Sequence, residues 1–148
     1  MSTSRETVRD ALAALLETAL VGDGLLAEEV VNHVIVEPPR KSPTVAVVSR
    51  GTNRLRMTYE GDRPDFLLLV QVWIRTSLPD GSWTAADTEN RLDAIEAVVA
   101  QVVEANRKAA EWSVLQYAAS SEINPVNTET GIPYSVEVIP ILAKLFRS

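Results

Sequence analysis

The stretch WTAADTENRLDAIEAVVAQVVEANRK, residues 83–108, predicts a long amphipathic helix and decides the fold class. Thr84 and Asp87 have the spacing of a capping box, in which a hydroxyl and a carboxylate satisfy the first free amides of a helix. The apolar residues that follow recur every three or four positions: Leu92, Ile95, Val99, Val102 and Val103. An apolar stripe beside a charged face predicts a helix that covers a sheet.

The segment before this helix predicts the central strand of that sheet. DFLLLVQVWIRT, residues 65–76, begins apolar on both faces and then alternates, as a strand covered by another layer does. A second amphipathic helix is predicted over residues 3–21, with Thr3 and Glu6 at capping-box spacing.

Shorter segments predict the remaining strands. β-branched residues favour strands over 30–37, 44–49 and 54–60, with turns at Gly51 and Asn53 and over 61–64. The final strands are predicted over 111–120 and 133–146, joined by a long polar loop. Pro140 interrupts the last strand and favours an edge or a bulge there.

Together these elements predict one α+β domain over residues 1–148. We expect a mainly antiparallel sheet, two principal helices on one face, and a long C-terminal hairpin. The chain has 148 residues, of which 46% are hydrophobic and 23% charged, so it can bury a core of its own.

Composition also excludes several kinds of site. The chain has no cysteine and therefore neither a disulfide framework nor a thiolate metal site. Its net charge of −6 is unlike that of a general duplex-binding domain. The polar N-terminus is unlike a signal peptide, and no apolar run reaches the ~20 residues of a membrane span. We expect a soluble protein made in the cytoplasm.

No set of residues predicts catalysis. His33 is the only histidine and lies in an apolar segment, so a structural role is favoured over metal binding. No nucleophile elbow or phosphate-binding loop is present. The acids of the main helix favour a solvated face over acid–base work in a cleft: Asp87, Glu89, Asp93 and Glu96.

A local basic cluster is the clearest candidate for a binding surface. Six of the 14 basic residues fall between positions 40 and 63: Arg40, Lys41, Arg50, Arg54, Arg56 and Arg63. Such a cluster suits an acidic partner or passing nucleic acid, and it equally suits exposed strand edges that carry charge against aggregation. The polar loop adds Asn124, Asn127 and Glu129 as candidate partner-facing residues.

The order and length of these elements resemble the tail terminator proteins of long-tailed bacteriophages and their relatives among tail-completion and neck proteins. The resemblance covers nearly all of the chain. It runs from TVRDALAALLETAL through DFLLLVQVWIR and TAADTENRLDAIEAVVAQVV to the terminal W…LQY…INPVNTETGIPYSVEVIPILAKLF.

This resemblance implies a homohexameric ring. In that family the ring caps the finished tail tube, ends tube polymerisation and provides the surface that joins the head. The implied partners are other copies of the chain, the tail tube protein and a head–tail connector or neck protein, with DNA only as cargo through the lumen. It implies no enzymatic activity, no cofactor, no metal and no membrane, and a place in the virion tail or neck after assembly in the host cytoplasm.

Two alternatives stay open at this point. One is a head–tail connector or neck subunit. The other is a small-molecule-binding α+β domain or weak enzyme, which would hold Asp87 or Asp93 in a closed apolar pocket.

Overall fold

Two helices and six strands make up the part of the chain that the structure describes. The computed structural model describes residues 4–22, 25–36, 39, 41–58, 61–76, 81–127 and 131–145, without the side chains of 55–63. The elements follow in the order α1 (Arg5–Leu20), β1 (Glu29–Val31), β2 (Thr44–Thr58), β3 (Gly61–Arg75), α2 (Ala85–Ala105), β4 (Val114–Tyr117), β5 (Glu122–Asn127) and β6 (Pro133–Lys144). This is the α+β fold predicted from the sequence.

The helices form where amphipathic periodicity and capping residues coincide. The capping box of α2 is confirmed: Thr84 Oγ1 accepts from the amide of Asp87, whose carboxylate accepts from the amide of Thr84. For α1 the cap is Ser4, whose Oγ accepts from the amide of Thr7 at 3.1 Å. The predicted cap Thr3 lies outside the described residues.

The strands form one mixed sheet in the order β1-β2-β3-β6-β4, with β5 also paired to β6. Only β1 and β2 run parallel, and the other pairs are antiparallel. On the outer side of β6, β4 lies opposite residues 141–144 and β5 opposite residues 133–138. The predicted C-terminal hairpin is therefore formed by β5 and β6.

The predicted turns within β2 and β3 are wrong. Residues 44–58 form one strand that pairs with β3 along its length, including residues 61–64. A register shift between Ser49 and Gly51 leaves Arg50 as a bulge. The bulge accommodates the glycine without ending the pairing. Residues that favour turns therefore belong to the paired strands β2 and β3, which form a two-stranded ribbon here. Among the described residues, the ribbon continues past the end of β6, where Lys144 lies opposite Asp65 and the amide of Leu145 donates to the carbonyl of Pro64.

The strand predicted over 30–37 is mostly absent. Only Glu29–Val31 pair with β2, and the described residues after Val31 form no strand. Val34 and Val36 are 62% and 90% exposed, since their β-branched side chains have no sheet to pack on. His33 is exposed as well and does not lie in an apolar strand.

The loop predicted between the last strands contains β5. Residues 122–127 pair with residues 133–138, although their composition favours a turn. Pro125 is accommodated because β5 is an edge strand. Upstream, the strand predicted over 111–120 is reduced to residues 114–117.

Pro140 was predicted to lie on an edge strand or at a bulge. It lies instead in an inner strand, β6, at the gap between the two outer partners of that strand, β4 and β5. It faces Leu69 of β3 on one side, and on the other its carbonyl accepts from the amide of Ala118 at 2.9 Å. The amide and carbonyl of a strand residue point to the same side, so the missing N–H falls where β4 has ended and β5 has not begun.

The core lies between the helices and one face of the sheet. Its fully buried members include Leu12, Leu16, Phe66, Leu68, Val70, Val72, Ile95, Val99, Ile139 and Ile141. Alternate residues of β3 supply the largest share, because they face the helices with a period of two. The two helices are thereby fixed on one side of the sheet, and the strand edges are left beside them.

On the opposite face of the sheet, residue 39 contacts the start of β6. The hydroxyl of Tyr134, which is only 1% exposed, donates to the carbonyl of Pro39 at 2.7 Å. The ring of Trp73 packs edge-on against Tyr134 at 5.9 Å between centroids. This contact holds residue 39 against the start of β6.

Candidate functional site

Two arginines of the predicted basic cluster lie on the part of β2 beyond Ala46, where the described structure places no strand on its outer side. We call this part the free half of β2. Arg50 and Arg54 are both exposed. Thr52 pairs with Phe66 on the helix-covered face, so Arg54, two residues on, shares that face. Its guanidinium carbon lies 6.0 Å from the centre of the Phe66 ring, a geometry that favours cation–π attraction.

Helix α1 adds two arginines that the sequence analysis missed. Arg5 Nη1 donates to Thr52 Oγ1 at 3.1 Å, and Arg9 Nη1 donates to Ser49 Oγ at 3.0 Å. Their spacing of four residues places both on one side of α1, which is the signal that could have identified them. We call Arg5, Arg9, Arg50 and Arg54 the arginine patch.

Neutral hydroxyl groups hold two members of the arginine patch in place. The hydrogen bonds of Arg5 and Arg9 to Thr52 and Ser49 orient both guanidinium groups without cancelling their charge. Arg9 Nε is buried and has no hydrogen-bond partner among the described residues. Charge held in this way remains available to an anionic partner.

Of the other predicted basic residues, Lys41 is the one whose side chain the structure describes, and it lies apart from the arginine patch. Lys41 lies near the start of β2, where its Nζ is 3.6 Å from Glu29 Oε2 in an exposed ion pair. Arg40 lies outside the described residues. Arg56 and Arg63 lie in β2 and β3, but their side chains are among those not described.

The predicted partner-facing loop residues lie on an open strand edge. Asn124 and Asn127 belong to β5 and are exposed, as is most of that strand. In the described part of the chain β5 pairs with β6 alone, so its other edge presents backbone groups without a strand partner. Glu129 lies outside the described residues.

Carboxylates gather beside β5, between α2 and β6. Tyr117 OH lies 3.4 Å from Glu96 Oε2, and Ser121 Oγ donates to Glu137 Oε2 at 2.8 Å. Asp93 is exposed one helical turn before Glu96, and Glu122 is exposed at the start of β5. We call Asp93, Glu96, Glu122 and Glu137 the acidic flank.

Burial first, and then neighbouring carboxylates, shift the pKa values of two groups at the acidic flank. Burial raises the pKa of Glu137 above its ordinary value, the hydrogen bond from Ser121 lowers it, and the charges of Glu96 and Asp93 raise it. The pKa of Tyr117 is raised by burial, then by the charge and hydrogen bond of Glu96, and then by Glu137. The exposed members of the acidic flank, Asp93 and Glu122, present negative charge that attracts a cationic partner.

The remaining acids of α2 are not gathered in a pocket. Asp87 is engaged in the helix cap, while Glu89 and Asp93 are exposed. In the described part of the chain, the capping role of Asp87 and the exposure of Asp93 do not fit the closed apolar pocket that the small-molecule alternative requires.

His33 borders a shallow groove between α1 and β1 with Asp10 and Glu17. Asn32 Nδ2 donates to Asp10 Oδ1 at 2.6 Å across its rim, and His33 Nδ1 lies 3.1 Å from the carbonyl of Val34. Over the described ranges, no group of three or more histidine, aspartate or glutamate residues is placed to hold a metal ion.

No protein-family model matches the chain, and a search of curated proteins returns no match. Neither of the described helices is long and apolar enough to cross a membrane. Within the described residues, the candidate functional features are the strand edges, the arginine patch and the acidic flank.

Proposed function

We propose that this protein is a structural component of a bacteriophage virion, of the tail terminator type. It forms a ring that caps the tail tube, ends tube polymerisation and provides the surface to which the head joins. The resemblance in element order supports this proposal. The observation that carries it is that one sheet has open strand edges on both of its sides.

Open edges on opposite sides favour head-to-tail association of identical copies. Over the described residues, β2 has no strand partner on its outer side beyond Ala46, and β5 has none on the side away from β6. These two edges differ from each other, so a contact between them is heterologous. Heterologous contacts close into rings when the rotation between copies allows it.

The direct test is to add the purified protein to polymerising tail tubes of the phage that encodes it. Tube ends are imaged by negative-stain electron microscopy, and tube lengths are measured with and without the protein. Capped ends carrying a ring, together with an arrest of tube growth, are the expected results.

The outcomes of this test separate the candidate functions. Bare ends and continued growth refute the terminator function. Rings that bind the head-side connector while tubes stay bare favour the connector or neck subunit instead. Monomers that bind neither structure leave the small-molecule-binding alternative as the one to pursue.

A further inference from the structure

We infer that copies of this chain join through the free half of β2 and the free edge of β5, with the arginine patch of one copy against the acidic flank of the next. The inference rests on the proposed function in taking a second copy of the chain as the occupant of these edges. It adds the edges, their relative direction, their offset and their charges.

The β2 edge is open only on the half that carries arginine. β1 covers residues 44–46, and beyond Ala46 the described structure places no strand on that side. Arg50 and Arg54 lie on this open half, and α1 places Arg5 and Arg9 directly over it. A strand that approaches this edge therefore meets positive charge.

The β5 edge is open along its described length and lies beside negative charge. The strand is six residues long and mostly exposed, with Ile123 at 53% exposure. Glu122 begins it, and the Ser121 hydroxyl before it is bound to Glu137. Asp93 and Glu96 lie on α2 next to Tyr117, at the end of β4.

The strand directions fit antiparallel pairing between copies. β2 is antiparallel to β3, β3 to β6, and β6 to β5, so β5 is antiparallel to β2. When one copy is placed beside another in the same orientation, the β5 edge of the first therefore meets the β2 edge of the second in antiparallel direction. The helices remain on the same face of the extended sheet.

The charges fit this pairing only when neighbouring copies are offset. Val47, the first β2 residue beyond the stretch that β1 covers, is opposite Val70, which is opposite Ile139 of β6. Asn127, the last residue of β5, is opposite Pro133, six residues earlier on β6. Six residues at ~3.3 Å each correspond to an offset of about 20 Å along the strands, which places Glu122 opposite Asn53, next to Arg54. A stagger between strands is what closure of a sheet into a cylinder requires.

Charge reversal on each side, followed by mixing, tests this pairing. One variant carries Arg5→Glu and Arg50→Glu, and the other carries Asp93→Arg and Glu122→Arg. All four side chains are exposed, so both variants should keep the fold, which circular dichroism and thermal melting verify. Sedimentation velocity then measures self-association of each variant and of their equimolar mixture.

Each variant alone should self-associate at least about tenfold more weakly than the wild type, because like charges then face each other. The equimolar mixture should recover assembly. When the two variants alternate, the reversed arginine patch of one meets the reversed acidic flank of the other. The remaining contacts pair an unchanged arginine patch with an unchanged acidic flank, so both kinds of contact join opposite charges. Raising the salt concentration should weaken the wild-type assembly and the mixed assembly alike.

Lys41→Glu provides the matched control, because Lys41 lies near the start of β2, away from the arginine patch. It should leave self-association unchanged. Wild-type-like assembly of both variants, or a mixture that does not recover, overturns the inference. So does a wild type that stays monomeric at low salt and its highest soluble concentration. Tube capping by such a protein would leave the proposed function standing.

Discussion

Replacement of Thr88 by valine should destabilise the fold by removing one buried hydroxyl at the start of α2. Thr88 is 2% exposed, and its Oγ1 accepts from the indole nitrogen of Trp83 at 2.7 Å. The same hydroxyl lies 2.9 Å from the carbonyl oxygens of both Arg75 and Thr76 at the end of β3. It therefore joins the helix to the strand before it.

The magnitude follows from the bonds that valine cannot make. The hydroxyl accepts one hydrogen bond and donates another that is shared between two carbonyls. Each bond contributes about 1 kcal/mol net, and an indole N–H left unsatisfied costs about 1–3 kcal/mol. We expect Thr88→Val to lower the free energy of unfolding by about 2–3 kcal/mol, which corresponds to a fall in Tm of roughly 5–10 °C.

Urea denaturation followed by circular dichroism measures this loss, and Thr88→Ser provides the matched control. Serine keeps the hydroxyl and loses one buried methyl group, which costs about 0.8 kcal/mol. The order of stability should therefore be wild type, serine, valine. A valine variant as stable as the wild type, or more stable than the serine variant, would refute the reasoning.

Three further changes test separate contacts. Glu137→Gln should raise Tm at pH 8 and have less effect near pH 5. Burial raises the pKa of Glu137 in the folded state, so the folded wild type binds a proton more tightly than the unfolded chain. The wild type therefore loses stability as pH rises through that pKa, and the glutamine variant does not. Tyr134→Phe removes the 2.7 Å bond to the carbonyl of Pro39 and should cost about 1 kcal/mol, with faster proteolysis of the segment before β2. Thr84→Ala removes the cap of α2 and should cost about 1 kcal/mol by urea denaturation.

Each of these changes has a contradicting result. Equal pH dependence of the glutamine variant and the wild type would show that Glu137 is not the group responsible. Unchanged proteolysis after Tyr134→Phe would mean that the hydroxyl does not hold the segment. For the cap, Thr84→Ser keeps the hydroxyl and should retain most of the stability that alanine loses, so equal losses would contradict the capping role.

The helices could be predicted from the sequence because their signals are local. In α2 the cap, Thr84 with Asp87, and the apolar spacing of Leu92, Ile95 and Val99 all act within one element. The ribbon of β2 and β3 was not predicted, because Gly51 and residues 61–64 favour turns when considered alone. Strand pairing across the sheet decided their conformation, and a local pattern does not contain that information.

The candidate site could be predicted only in part, for the same reason. The sequence placed Arg50 and Arg54 in a basic cluster that suits either an acidic partner or a charged strand edge, and the structure shows both to be exposed in β2. Arg5 and Arg9 join them only because α1 packs across β2, which is a tertiary contact. The separation of Lys41 from these arginines follows from the length of β2, which places that lysine near its opposite end.

Pro140 divides the outer side of β6 into two separate stretches. Its missing N–H removes one hydrogen bond at this point, and the four residues between Tyr117 and Glu122 lie opposite only two residues of β6. β4 and β5 are therefore two short strands in different registers, each with its own side chains and its own neighbours. One of them, β5, leaves most of its side chains exposed, while the other contributes to the core, where Leu115 is fully buried.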